Sequence, residues 1–156
     1  MEKAMSIVLS KKENTACERL FERTHNIDHS GASFFGHLYN TFYILKRIGA
    51  SEVTSLAGLY HAVYGTEFFN SEKLFTKEEV LEIVGKDSEK LIEYFSMENR
   101  FSVIFENSLE LDTNSLLSLT EILYANDLEQ SRGNPVDEKY FASLTNQIGQ
   151  YREEVG

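Results

Sequence analysis

Apolar residues recur along this chain at helical intervals, and clusters of polar turn formers separate the runs. Ser10 to Thr24 reads as a polar amphipathic helix with Ala16, Leu20 and Phe21 turned inward. Asn26 to Ser33, rich in Asn, Asp, Ser and Gly, reads as loop. Phe34, Leu38, Phe42 and Leu45 then share one face of a helix over Phe34 to Ile48, which Gly49 closes. Ser51 caps a second apolar helix from Glu52 to about Tyr64. Gly65 to Phe75 breaks the pattern as an ordered loop carrying exposed aromatics.

Thr76-Lys77-Glu78-Glu79 is a capping box opening a helix that stops at Gly85. Asp87 is the expected cap of the next, which runs to about Ser96. Between Met97 and Glu106, the alternation of Phe101, Val103 and Phe105 suits a strand, but no partner strand is evident, so a helix is expected. Asp112 starts a strong helix through Leu116, Leu119, Ile122 and Leu123 to about Gln130. Ser131-Arg132-Gly133-Asn134-Pro135 breaks it, and Asp137 to Glu153 forms a terminal amphipathic helix. The expected fold is all-α: one domain over residues 1–156, a bundle of about seven helices, with its core at 11–132 and a C-terminal helix at 137–153.

Composition narrows the partners. A formal net charge of -10 leaves no Lys/Arg field for phosphates, so a nucleic-acid partner is not expected. No apolar run reaches the roughly 18 residues needed to cross a bilayer. The start of the chain does not read as a signal peptide. The single cysteine, Cys17, fits a reducing compartment and lacks the basic neighbours that activate a thiol, so a cytoplasmic protein is expected.

The candidate chemistry lies in polar exceptions on apolar faces. His37 shares a face with Phe34, Thr41 and Leu45. His61 follows Thr54, Ala57 and Gly58, a face of small residues that leaves room beside the imidazole. Asn126 lies one turn beyond Leu119, Ile122 and Leu123. Buried polar groups need partners, and a metal or a ligand among the three faces would supply them. The loop residue His29 is a third candidate imidazole, whereas His25 reads as a solvent-side helix end. Tyr64, Thr66 and Glu67 are placed at the pocket rim beside His61, with Tyr64 or Glu67 as candidate acid or base. Asn126, Glu129, Gln130 and Arg132 line the opposite wall, Arg132 being the cation there that could meet an anionic substrate.

Ser30-Gly31, His37, Leu45, Ala57-Gly58-Leu59-Tyr60-His61 and Thr66 together resemble the HD-domain superfamily of metal-dependent phosphohydrolases. Within it, the chain is most similar to the hydrolase domain of stringent-response alarmone enzymes. Ala125-Asn126-Asp127-Leu128-Glu129-Gln130-Ser131-Arg132 resembles the late Ala-Asp-x-Leu-x-Asn-x-Arg helix of those enzymes. The resemblance covers roughly Asp28 to Thr66 and Leu119 to Arg132. It implies an HD-like helical fold with His37 and His61 as metal ligands. It also implies that Ala62 and Asn126 stand where carboxylate ligands belong, and that Gly65 and Thr66 stand where the alarmone hydrolases keep an acidic pair.

A methyl group cannot ligate, and an amide oxygen ligates without charge. Hard ions such as Mg²⁺ want anionic oxygens, so ordinary HD phosphohydrolysis is not expected. Three imidazoles, His29, His37 and His61, with water would suit zinc; iron and manganese are the other transition metals considered. Each histidine then needs an acceptor to fix its tautomer, for which Asp28, Glu67 and Asn126 are candidates. Three expectations follow: a histidine-bound transition-metal enzyme acting on a small molecule, a non-catalytic HD-like protein binding a small ligand or protein partner in the old pocket, or histidines that only hydrogen-bond within the core. Phe68-Phe69 is a weak signal of self-association.

Overall fold

A computed structural model describes residues 7–29, 32–64, 74–132 and 134–156, with backbone alone at 28, 29 and 32. Eight helices appear among these residues: α1 (Lys11–Thr24), α2 (Phe34–Arg47), α3 (Glu52–Leu59), α4 (Lys77–Val84), α5 (Lys86–Phe95), α6 (Arg100–Phe105), α7 (Thr113–Ser131) and α8 (Glu138–Val155). The all-α bundle is therefore as expected, with one helix more than anticipated. The segment read as loop between α1 and α2 contains a two-residue antiparallel ladder, β1 (Asp28–His29) with β2 (Ala32–Ser33), in register Asp28 to Ser33.

Local chemistry starts these helices where their caps lie. Ser10 accepts from the Glu13 backbone N–H while the Glu13 carboxylate accepts from that of Ser10, and Thr76 and Glu79 do the same for α4. Ser33, Ser51 and Asp137 cap α2, α3 and α8. Asp87 is not a cap. Gly85, at φ +89°, turns the chain directly from α4 into α5, so Asp87 falls inside the first turn.

α7 is buried on several sides, packing against α2, α3 and α8, while α5 rests on α3 and α4. The core gathers Leu20, Phe34, Leu38, Phe42, Leu45, Leu56, Tyr60 and Phe95 with Leu119 and Ile122. Each such side chain contributes roughly 1.5–3 kcal/mol of apolar burial. α2 and α3 meet at Gly58, where an added Cβ would lie 2.1 Å from Leu45 Cδ1. The small-residue face expected to leave room beside His61 is thus occupied by Leu45.

Three further expectations are corrected. Phe21 is exposed, stacking on His25 at the end of α1 rather than entering the core. Phe75 is buried, edge-on to Tyr60 with the Arg23 guanidinium 4.4 Å from its ring centre. α3 ends at Leu59, so His61 sits in the following turns, where His61 N–H donates to Gly58 O and Val63 N–H to Tyr60 O. These bonds between residues three apart tighten the chain and swing His61 off the helical path.

Polar ties close the bundle. Lys46 pairs with buried Glu13 at 2.9 Å, joining α2 to α1, and Tyr60 Oη donates to Ala16 O. Arg152 of α8 donates to Ile48 O at 2.7 Å and to Glu121 Oε2 at 2.6 Å. Burial raises the pKa of Glu121, and Arg152 opposes that shift.

Candidate functional site

α2 delivers His37 one turn beyond its Ser33 cap, and the turns after α3 deliver His61. The two imidazoles meet edge to face with ring centres 5.2 Å apart. Both are buried, at 2% and 3% exposure. Phe95 of α5 packs edge-on to His61 at 5.4 Å between ring centres. Asn126 of α7 is buried with them, close enough to His61 to influence its titration. Three of the sequence-selected residues therefore do converge.

The residue that completes the group is Glu129, buried one turn after Asn126. His37 Nδ1–H donates to Glu129 Oε1 at 2.6 Å. His61 Nδ1–H donates at 2.7 Å to the Gly58 carbonyl at the end of α3, which also accepts the His61 backbone N–H. Carboxylate and carbonyl oxygens accept only, so each Nδ1 carries the proton, and in a neutral ring the lone pair lies on Nε2. For His61 that neutral form is enforced: burial, helped by the neighbouring His37, pushes its pKa down to about 3.

A polar chain runs from this cluster to the surface. Asn126 Nδ2 donates to Asp127 Oδ1, and Tyr140 Oη of α8 donates to Asp127 Oδ2 at 2.6 Å. Arg132, exposed at the end of α7, brings Nε within 3.8 Å of Glu129 Oε2. Arg100 lies over the Phe95 ring at 4.5 Å.

The remaining candidates scatter. Gln130 is exposed, because the inward face of α7 ends through Asn126 and Glu129, so it does not line the buried cluster. Tyr64 is half-buried and donates to Glu89 Oε2 at 2.8 Å, and burial together with this carboxylate raises its pKa. Its phenol is thereby made a poorer acid. Thr66 and Glu67 lie outside the described residues, as do Gly65, Phe68, Phe69 and the side chains of Asp28 and His29. Ala62 is buried and offers only its methyl. Cys17 is half-buried, and burial with Glu13 and Glu18 pushes its thiol up to about 11, away from the thiolate form. A surface hollow of about 350 Å³ lies elsewhere, between α3, α5 and the start of α7, and none of the candidate residues lines it.

Glu129 belongs to the expected pocket wall, but its pairing with His37 is not among the expectations. The available signal was its spacing of three from Asn126 on an otherwise apolar face. The Gly58 carbonyl and the Phe95 edge left no comparable trace.

The chain matches the profile of a family described as "Domain of unknown function (DUF6817)" over residues 20–100. No curated protein matches, and no solved structure matches. No helix among the described residues is long and apolar enough to cross a membrane.

Proposed function

The chain belongs to the DUF6817 family, and from the geometry of its buried cluster we propose an HD-like helical protein that holds a transition metal on His37 and His61 and acts on a small molecule. The observation that carries this reading is the paired fixing of both rings. Each Nδ1–H is held by an acceptor on a different part of the fold, Glu129 or Gly58, the arrangement that orients metal-binding histidines. Two imidazoles on one tetrahedral zinc, at 2.0–2.1 Å from the ion, place their ring centres about 5 Å apart. The 5.2 Å found here matches that spacing.

The fit is partial, and it defines what else is needed. No group of three His, Cys, Asp or Glu side chains gathers with metal-binding geometry among the described residues. The third ligand in this reading is His29, whose backbone in β1 lies next to α2. Neutral histidines select zinc or iron, with manganese less favoured, over magnesium. Such an ion supplies Lewis acidity and an activated water. The chain's own residues orient and enclose: Glu129 fixes the His37 tautomer and places one negative charge beside the pair, Asn126 offers a neutral amide, and Phe95 covers one side of His61. We place the protein in the cytoplasm, on its lone cysteine, and assign it no nucleic-acid partner, on its acidic charge.

Cobalt(II) titration followed by visible absorption tests the reading. Stoichiometric binding that disappears in His37→Gln and His61→Gln proteins with wild-type circular dichroism is the expected result. A wild-type chain that takes up neither cobalt nor zinc would overturn it. One observation favours a non-catalytic reading, either a purely structural histidine pair or a ligand-binding or partner-binding protein: the pair is buried and packed edge to face, as core rings are. Thermal-shift screening, in which ligands of the native state raise the midpoint, checks that alternative.

A further inference from the structure

α6 contributes Val103 and Ile104 to the core but turns Phe101 and Phe105 outward, 50% and 48% exposed and stacked parallel one helical turn apart. Met97 before the helix and Leu109 after it are exposed too. Together these side chains uncover on the order of 300–400 Å² of apolar surface, the size of the largest patch on an ordinary monomer and often a functional one. Hydrogen bonds tie the turn that presents Leu109. Asn107 and Glu110, neither of them glycine, adopt φ of 49° and 54°. Leu111 N–H donates to Asn107 Oδ1 at 2.7 Å, Asn107 Nδ2 donates back to Leu111 O, and Ser108 N–H reaches Ser102 O. Asn107, directly after the cap of α6, is an ordinary left-handed helix ending supported by its own side chain, and Glu110 N–H closes the same turn on Asn107 O.

The surrounding charge identifies what fits. Glu98, Glu106 and Glu110 are exposed beside the patch, and none has an ion pair among the described residues. Arg100, the cation within α6, is engaged on the Phe95 and Phe101 rings. An apolar stripe with an unpaired acidic rim complements a helix that has apolar residues on one face and Lys or Arg at its margins. A second copy would bring acid rim against acid rim in a chain of net charge -10, and an anionic membrane would be repelled likewise. We propose that α6 and the Asn107–Leu111 turn form a preorganised docking surface for a basic amphipathic helix of a partner protein.

The test uses the full chain and a fourteen-residue peptide of leucine and lysine with leucines at helical spacing, labelled for fluorescence anisotropy. A peptide of the same composition in scrambled order is the control. Saturable binding is expected, at least tenfold tighter than for the scrambled peptide and weakened by salt, with hydrogen-exchange protection confined to 97–111. Phe101→Ser with Phe105→Ser, and separately Glu98→Gln with Glu106→Gln and Glu110→Gln, should each weaken it at least tenfold while leaving the melting temperature near wild type. Equal affinity for the scrambled peptide, protection elsewhere, or unchanged affinity in both variants would overturn the proposal. So would self-association of the free chain that Phe101→Ser with Phe105→Ser abolishes, since the patch would then belong to a second copy.

Discussion

Lowering the pH from 7 to 5 should destabilise this protein through one buried ring. The folded state holds His61 neutral, its pKa pushed down to about 3 by burial and by His37. In the unfolded chain the same group titrates near 6.5. Between those values the unfolded state binds a proton that the folded state refuses, so stability falls as pH falls and recovers above 6.5. Integrated from pH 7 to pH 5, one such group removes about 2 kcal/mol. For a chain of this size that corresponds to a midpoint roughly 4–8 °C lower. The assay is thermal unfolding across that window for wild type and His61→Gln, whose amide can still donate to Gly58 O but does not titrate. Carboxylates stay largely ionised in the unfolded chain above pH 5, so subtracting the two profiles isolates His61. The variant should lose about 2 kcal/mol of the pH dependence. Parallel profiles would refute the account and imply that the ring accepts a proton in place.

Two other perturbations probe the scaffold. Gly58→Ala forces a Cβ to within 2.1 Å of Leu45 Cδ1, and chemical denaturation should show a loss of about 1–3 kcal/mol, partly recovered by adding Leu45→Ala. Arg152→Ala leaves the buried Glu121 carboxylate without its cation; the expected cost is about 2 kcal/mol at pH 7, shrinking toward pH 4 as Glu121 takes up a proton.

How far the sequence discloses this structure depends on whether a feature is local. Helical periodicity marks Phe34, Leu38, Phe42 and Leu45, and capping chemistry marks Ser10, Ser51 and Thr76, because both are written within one turn of chain. The inward position of His37 and Asn126 is likewise a periodicity statement. Contacts between distant segments are not. Phe21 and Phe75 exchange their expected places because the side that gets covered is settled by tertiary neighbours: Tyr60 and Arg23 enclose Phe75, whereas Phe21 packs on the exposed His25. The pairing of His37 with Glu129 spans 92 positions and leaves only a spacing hint. The fate of the space beside His61 turns on a single leucine from another helix.

α7 serves two masters. Leu116, Leu119, Ile122, Leu123 and Ala125 make it the spine on which α2, α3 and α8 lean, and its last turns carry Asn126 and Glu129. Its buried faces leave little surface over which a substitution could go unnoticed. In evolutionary terms, new chemistry cannot be tried at positions 126 and 129 independently of the fold. A carboxylate introduced at position 126, beside Asp127 and Glu129, would have to be tolerated by the same helix that holds the bundle together. The accessible routes to altered specificity therefore run through the flanking segments, and α7 itself is expected to change slowly.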